Sequence, residues 1–182
     1  MSHLDASSLY RSHAPFVASF LSRLGVDRHD LDDAVQEVFL VVHRRGGYEQ
    51  GAAQPQTWLA EIALRVASHL RRTRRRRAWE TESVNDERRD PHTPFEALEA
   101  ARSLARVQQA IAALPLEQGA VFILYEIERE SCESIAAGLA VPIGTVYSRL
   151  HVARRSFLKV YERLTADARR APRPPAERGA LP

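Results

Sequence analysis

The residues best equipped for chemistry in this chain are arginines. Six fall within positions 71–77, as Arg71, Arg72, Arg74, Arg75, Arg76 and Arg77, and no acidic residue lies between Glu61 and Glu80. A second stretch, free of acids between Glu133 and Glu162, carries Arg149, Arg154, Arg155 and Lys159. A guanidinium is a flat fork of N–H donors that matches phosphate oxygens and the O6/N7 edge of guanine. Two such blocks, separated by acidic sequence, suggest two surfaces that face a polyanion, although the formal net charge is only +3. Lys159 is the sole lysine, and the base composition of the gene accounts for that bias as well as selection for arginine does.

Catalysis is poorly provided for. No glycine-rich loop carrying a lysine is present to cradle a nucleotide. The seven histidines show no H-x-x-x-H spacing, and the single Cys132 can form neither a cysteine-rich zinc site nor an intrachain disulfide. Asp32, Asp33 and Glu37 share a helix face, where carboxylates are solvated or face a partner rather than forming an acid/base pair. No catalytic residue, metal ligand or cofactor is therefore expected. Cys132 reads as a small buried apolar residue, with a redox role left open.

The elements that must position these groups are helical. Apolar residues recur at helical spacing over 7–24, from Asp30 as N-cap to about Arg44, over 56–76, 95–113, 117–129, 131–138 and 143–164, and no period-2 strand is evident. Gly46, Gly47 and Gly51 mark a loop, and residues 80–95 are polar and broken by Pro91 and Pro94. The expected architecture is all-α: one small helical domain over 8–77, a flexible linker over 78–95, a second helical domain over 96–165, and a disordered proline-rich tail over 166–182. The longest apolar run, Val38 to Val42, is far too short to span a bilayer, and the first ten residues lack a signal-peptide core. A cytoplasmic protein without membrane insertion is expected.

The most informative stretch runs from Glu133 to Arg155. Ile135, Ala136 and Leu139, then Val146, Leu150, Ala153 and Phe157, give two short helices a common buried side. Two such helices across a tight turn make a helix-turn-helix, whose second helix enters the major groove. Its open face offers Thr145, Tyr147, Ser148, Arg149 and His151 as base or phosphate readers, and Arg154 and Arg155 as phosphate contacts. This segment resembles region 4.2 of the sigma-70 family, above all its small extracytoplasmic-function group. It keeps Ile135-Ala136, Leu139, Val141-Pro142, Gly144-Thr145-Val146, Ser148-Arg149-Leu150 and Ala153-Arg154 of that pattern. It departs at Ala140, where glycine is usual, at Tyr147, where lysine is common, and at Val152, where arginine is common. If the turn requires positive φ, an alanine at 140 costs about 1 kcal/mol. The resemblance implies recognition of the promoter −35 element.

The helix ahead of the glycine loop has an apolar side of Leu31, Ala34, Val35, Val38, Phe39 and Val42. Its other side carries Asp33, Gln36, Glu37, Leu40 and Arg44. By pattern alone Leu40 is either an ordinary exposed leucine or a docking spot ringed by acids. The run from Asp30 to Leu40 is similar to sigma region 2.2, which implies docking on the β′ clamp helices of core RNA polymerase through Asp33, Gln36, Glu37 and Leu40. The following helix, led by Trp58, resembles regions 2.3 and 2.4 and implies −10 contacts by Arg65, His69, Arg71, Arg72, Arg74 and Arg75. Trp58 is core by its spacing with Leu59 and Ile62, with base stacking as the alternative. Tyr48, the only aromatic of the loop over 46–54, is either a turn residue or part of a pocket for a flipped base, a family role of this loop.

The partners this resemblance implies are core RNA polymerase, at its β′ clamp helices and β flap, promoter DNA, and an anti-sigma factor. An operator-binding helix-turn-helix regulator would explain residues 131–157 and leave the acidic helix and the Trp58 helix without a role. An RNA-binding protein would rest on residues 71–77 alone. Reach favours two separable modules: elements about 25 base pairs apart lie roughly 85 Å from each other at ~3.4 Å per pair. A linker of this length extends to about 60 Å at ~3.3–3.6 Å per residue.

Overall fold

The computed structural model describes the backbone of residues 3–78 and 95–170 and the side chains of 3–76 and 99–170. Most of the expected linker, with Glu80, Glu82, Asp86, Glu87 and Asp90, and the end of the tail, 171–182, lie outside the described residues.

Three helices make the first half: α1 (Ala6–Arg23), α2 (Arg28–Arg44) and α3 (Pro55–Ala78). Asp5 starts α1 by accepting the Ser8 amide at 2.8 Å, and these hydrogen bonds from Ser8 hold its carboxyl below the usual aspartate range. Helix α2 starts one turn earlier than expected. Asp27 takes the extended cap conformation, while Asp30 lies in the first turn, where its charge faces the helix N-terminus. The two aspartates are three residues apart, so sequence alone offers two equivalent caps. Proline opens α3, at the one helical position where its missing N–H costs nothing.

A small ladder was not anticipated. β1 (His3–Leu4) pairs antiparallel with β2 (Tyr48–Glu49), in register His3 with Glu49 and Leu4 with Tyr48. Two residues are too short to display alternation. The ladder depends on Gly47, whose φ is +97° and whose Cβ, if added, would lie 3.2 Å from His3 Nε2 and against the Leu4 carbonyl.

The second half comprises α4 (Phe95–Ala112), α5 (Leu116–Phe122), a wide π-type turn (Ile123–Ile127), α6 (Cys132–Gly138) and α7 (Ile143–Arg170). Ser131 caps α6 by accepting the Ser134 amide at 3.1 Å. The α6 and α7 axes meet at 110°, within the helix-turn-helix range. Helix α7 continues to Arg170, so residues 166–170 of the expected tail are helical. No proline interrupts α7, and its first proline beyond is Pro172.

Ala140 sits in the turn at φ +53°. A left-handed alanine crowds its own Cβ, and Ala140 is exposed, so glycine would relieve strain without losing packing. Ala140→Gly is expected to stabilise the second half by up to about 1 kcal/mol, less the extra freedom glycine gives the unfolded chain. Thermal melting should show a gain of a few degrees. A lowered midpoint would mean that the turn carries no strain at this residue.

The two expected helical domains are both present, and they share one continuous core. Leu9, Phe20, Val38 and Ile62 of the first half belong to the same buried cluster as Val121, Leu124, Ile135 and Leu150 of the second. Gly138 lies so close to Thr57 that an added Cβ would come 2.6 Å from the Thr57 hydroxyl oxygen. Glu128 accepts from Arg23 at 2.8 Å and from Gln56 at 3.1 Å, and Gln108 donates to Ser22 at 3.2 Å. Arg71 donates to the carbonyls of Leu24 at 3.1 Å and of Ala112 at 2.9 Å, bridging both halves. The small residues Gly25, Gly119 and Gly138 therefore permit a close seam between the modules.

Candidate nucleic-acid interface

Helix α7 is fixed by its buried stripe, Val146, Leu150 and Ala153, and by Phe157 stacked on Phe122 at 4.9 Å between centroids. Phe157 also stacks on Tyr161 at 5.8 Å, so the stripe continues along the helix. With that side committed, Tyr147, Ser148, His151 and Arg155 project to solvent, and Thr145 and Arg149 are half-buried at its margin. Ser148 donates to the Thr145 carbonyl at 3.0 Å, and the Thr145 amide donates to the Pro142 carbonyl at 2.9 Å.

Arg154 is exposed and paired within the second half. Its Nε donates to Glu126 at 2.6 Å and its guanidinium lies 5.2 Å from the Tyr125 ring centre. The hydrogen bond to Glu126 raises its already high pKa. In this arrangement Arg154 ties α7 to the π-type turn, leaving Arg149 and Arg155 as the arginines of the open face. The partner lies 28 residues upstream, beyond any local spacing rule.

On α3 the six sequence-selected residues divide. Arg65 pairs with Glu61 one turn earlier, and Arg45 reaches the same carboxylate at 3.3 Å. Arg71 is half-buried in the seam, and burial lowers its pKa from the ordinary arginine value. Arg74 pairs with Asp27 and lies 3.5 Å from Asp30. His69, Arg72 and Arg75 are exposed. Arg76, not singled out from sequence as a site residue, is exposed as well. Arg65, His69, Arg72 and Arg76 recur at steps of four, three and four, which places them on one face of the helix. Asp27, His29 and Asp30 lie near enough to one another to share a cation. Arg74 supplies the positive charge there.

Tyr48 is buried at 6% exposure. Its ring packs on Trp58 at 5.6 Å, and its hydroxyl donates to the Ala53 carbonyl. These contacts close the loop onto α3. Trp58 is partly buried against the core. Cys132 is buried, and desolvation raises its thiol pKa, which keeps it protonated and a poor nucleophile near neutral pH.

A separate surface runs along α2. Asp33, Gln36, Glu37 and Leu40 are all exposed, Leu40 at 53%. Glu37 accepts from Arg44 at 2.8 Å, an exposed pair worth little to stability. Phe39, next to Leu40, turns inward and meets Tyr10 edge-on at 5.0 Å. The core requirement is thus met without Leu40, which remains an exposed apolar side chain among the polar residues Gln36, Glu37, His43 and Arg44.

Comparison with known proteins agrees with this layout. Residues 9–77 match the family described as Sigma-70 region 2, and residues 104–157 match Sigma-70, region 4. The ECF RNA polymerase sigma factor SigE of Mycolicibacterium smegmatis is 34% identical over 167 residues, covering 88% of this chain and 64% of that protein. The RNA polymerase sigma factor HrpL of Pseudomonas syringae pv. syringae is 35% identical over 147 residues, covering 75% of this chain and 76% of the relative. The sigma factor RpoE of Bartonella quintana, solved in complex with the anti-sigma factor NepR, superposes with a TM-score of 0.65 at 22% identity, over 86% of this chain and 96% of that one. With both of its helical halves matched and relatives above 30% identity across most of its length, the chain belongs to the sigma-70 family, in the extracytoplasmic-function group.

Proposed function

We propose that this chain binds core RNA polymerase and directs it to promoters, reading the −35 element with α7 and engaging the −10 region with α3 as the duplex opens. The observation that carries this reading is the coexistence of three distinct exposed surfaces on one chain. One is the polar and basic face of α7, the second is the Arg65, His69, Arg72 and Arg76 face of α3, and the third is the polar face of α2 that carries Asp33, Gln36, Glu37 and Leu40. The third surface, with Asp33 and Glu37, is poorly suited to a polyanion. For region 2 of this family the docking partner is the β′ clamp coiled coil of core polymerase. The β flap is the corresponding partner of the second half. The chain needs no catalytic group for this work and acts where polymerase and promoter DNA are, in the cytoplasm.

The closed seam has a consequence for this function. Promoter elements roughly 85 Å apart, at ~3.4 Å per pair, cannot both be met by halves that share one core. The promoter-bound form therefore has a parted seam. Release of Arg71 on opening adds a free guanidinium to the α3 surface. Relatives such as the Bartonella quintana factor are known with an anti-sigma factor bound, and a protein of that kind is the proposed negative regulator of this chain.

Arg149→Ala tests the α7 assignment. A bidentate contact to guanine is worth about 1–3 kcal/mol and is confined to one base pair. Binding to the preferred −35 duplex is expected to fall by that amount, with specificity relaxed at one position. Competition binding over single-position variants measures it. A uniform loss across all sequences would mark Arg149 as a phosphate contact instead.

A further inference from the structure

The open face of α7 carries an exposed apolar residue beside Ser148 and Arg155. Val152 is exposed at 44%. On a helix its neighbours at three and four residues are Arg149, Ser148, Arg155 and Ser156, and Thr145 continues the same row one turn earlier. Every one of those neighbours is polar or charged. The buried stripe of α7 lies about 130° away around the helix, so Val152 is not one of its core positions. Phosphate-binding residues would be charged or polar at this position.

Resting on the reading that α7 enters the −35 major groove, we propose that Val152 is a specificity residue that recognises the C5-methyl group of a thymine in that element. Among the four bases the thymine methyl is the one apolar group displayed in the major groove, and apolar side chains are what meet it. A stiff β-branched side chain suits this task, since little rotamer freedom remains to be lost on contact. Arg149, one turn earlier, reads a neighbouring base pair by hydrogen bonding, so the two residues specify adjacent positions by different means. The cytosine at the same place offers an amino group and no methyl, leaving Val152 against a polar edge.

The experiment uses the full chain reconstituted with core RNA polymerase. The preferred −35 sequence is first selected from duplexes randomised over that element. Each thymine in it is then replaced singly by deoxyuridine, which removes only the methyl. One position is expected to weaken binding about fourfold, the worth of one buried methyl-sized group. Val152→Ala should bind the thymine and deoxyuridine duplexes equally, and Val152→Ile should keep the difference. Because Val152 is exposed and alanine favours helix, the folding of Val152→Ala is not at risk. No methyl-dependent position, or a dependence that Val152→Ala leaves intact, would overturn the proposal while leaving −35 reading in place. Failure of the selection to yield any preferred sequence would overturn the −35 reading itself, and the proposal with it.

Discussion

Gly138→Val is expected to part the two halves of the protein without unfolding either. The nearest atoms to a Cβ at position 138 all belong to Thr57, on the other side of the seam, and Thr57 is fully buried. Inserting bulk into a closed contact costs about 1–3 kcal/mol. Valine is a better helix former than glycine, so α6 itself tolerates the change. The seam then loses the Arg71 bridge and the Arg23–Glu128 pair together, because each requires the halves in contact. Small-angle scattering should report a radius of gyration several Å above the roughly 16 Å expected for a compact chain of 182 residues. Helical circular dichroism should be unchanged, and run-off transcription should be retained or raised, since opening precedes promoter engagement. A compact variant with lost helicity would mean that the two halves fold only as one unit. Lost transcription in a folded, open variant would mean that the seam persists in the working form.

Leu40→Ala should lose core polymerase and nothing else. The side chain is 53% exposed on α2, with the adjacent Phe39 taking the core position. Alanine is the best helix former, so α2 keeps its stability to within about 0.5 kcal/mol. An apolar anchor at the centre of a polar docking face typically costs about 2 kcal/mol or more on truncation, roughly thirtyfold in affinity. Competition for labelled core enzyme against the unaltered chain gives that ratio directly, with a thermal melt as the control. Equal competition would remove α2 as the docking surface and leave Leu40 as an ordinary exposed leucine.

How far the sequence could be read depended on the range of the interactions involved. The helix-turn-helix was legible because Val146, Leu150, Ala153 and Phe157 form a local stripe and Pro142 and Gly144 punctuate the turn, despite alanine at position 140. The exposed face of α2 was legible for the same reason. The cap of α2 was misplaced because Asp27 and Asp30 both have the right chemistry and dihedral angles alone separate them. The β1–β2 ladder joins residues more than forty positions apart and is too short to leave a periodic trace. The positions of Arg71, Arg74 and Arg154 follow the same logic. Clustered arginines look alike in sequence, yet the partners of these three, Ala112, Asp27 and Glu126, lie far away along the chain and decide which charges stay available. Tyr48 shows the converse. An aromatic in a glycine-rich loop is legible as special, but only the Trp58 contact reveals that its ring is already engaged. The seam was the least legible feature, because small residues such as Gly138 and Gly119 permit contact without announcing it.

The account stands or falls on whether this chain confers start-site choice on a polymerase that lacks it. The direct measurement is transcription of fragmented genomic DNA by purified core enzyme, with and without the chain, followed by sequencing of transcript 5′ ends. Discrete start sites that require the chain, each preceded by a shared pair of upstream elements about 25 base pairs apart, are the predicted result, the spacing corresponding to roughly 85 Å. Start sites that are indistinguishable with and without the chain, while it binds DNA normally, would contradict it.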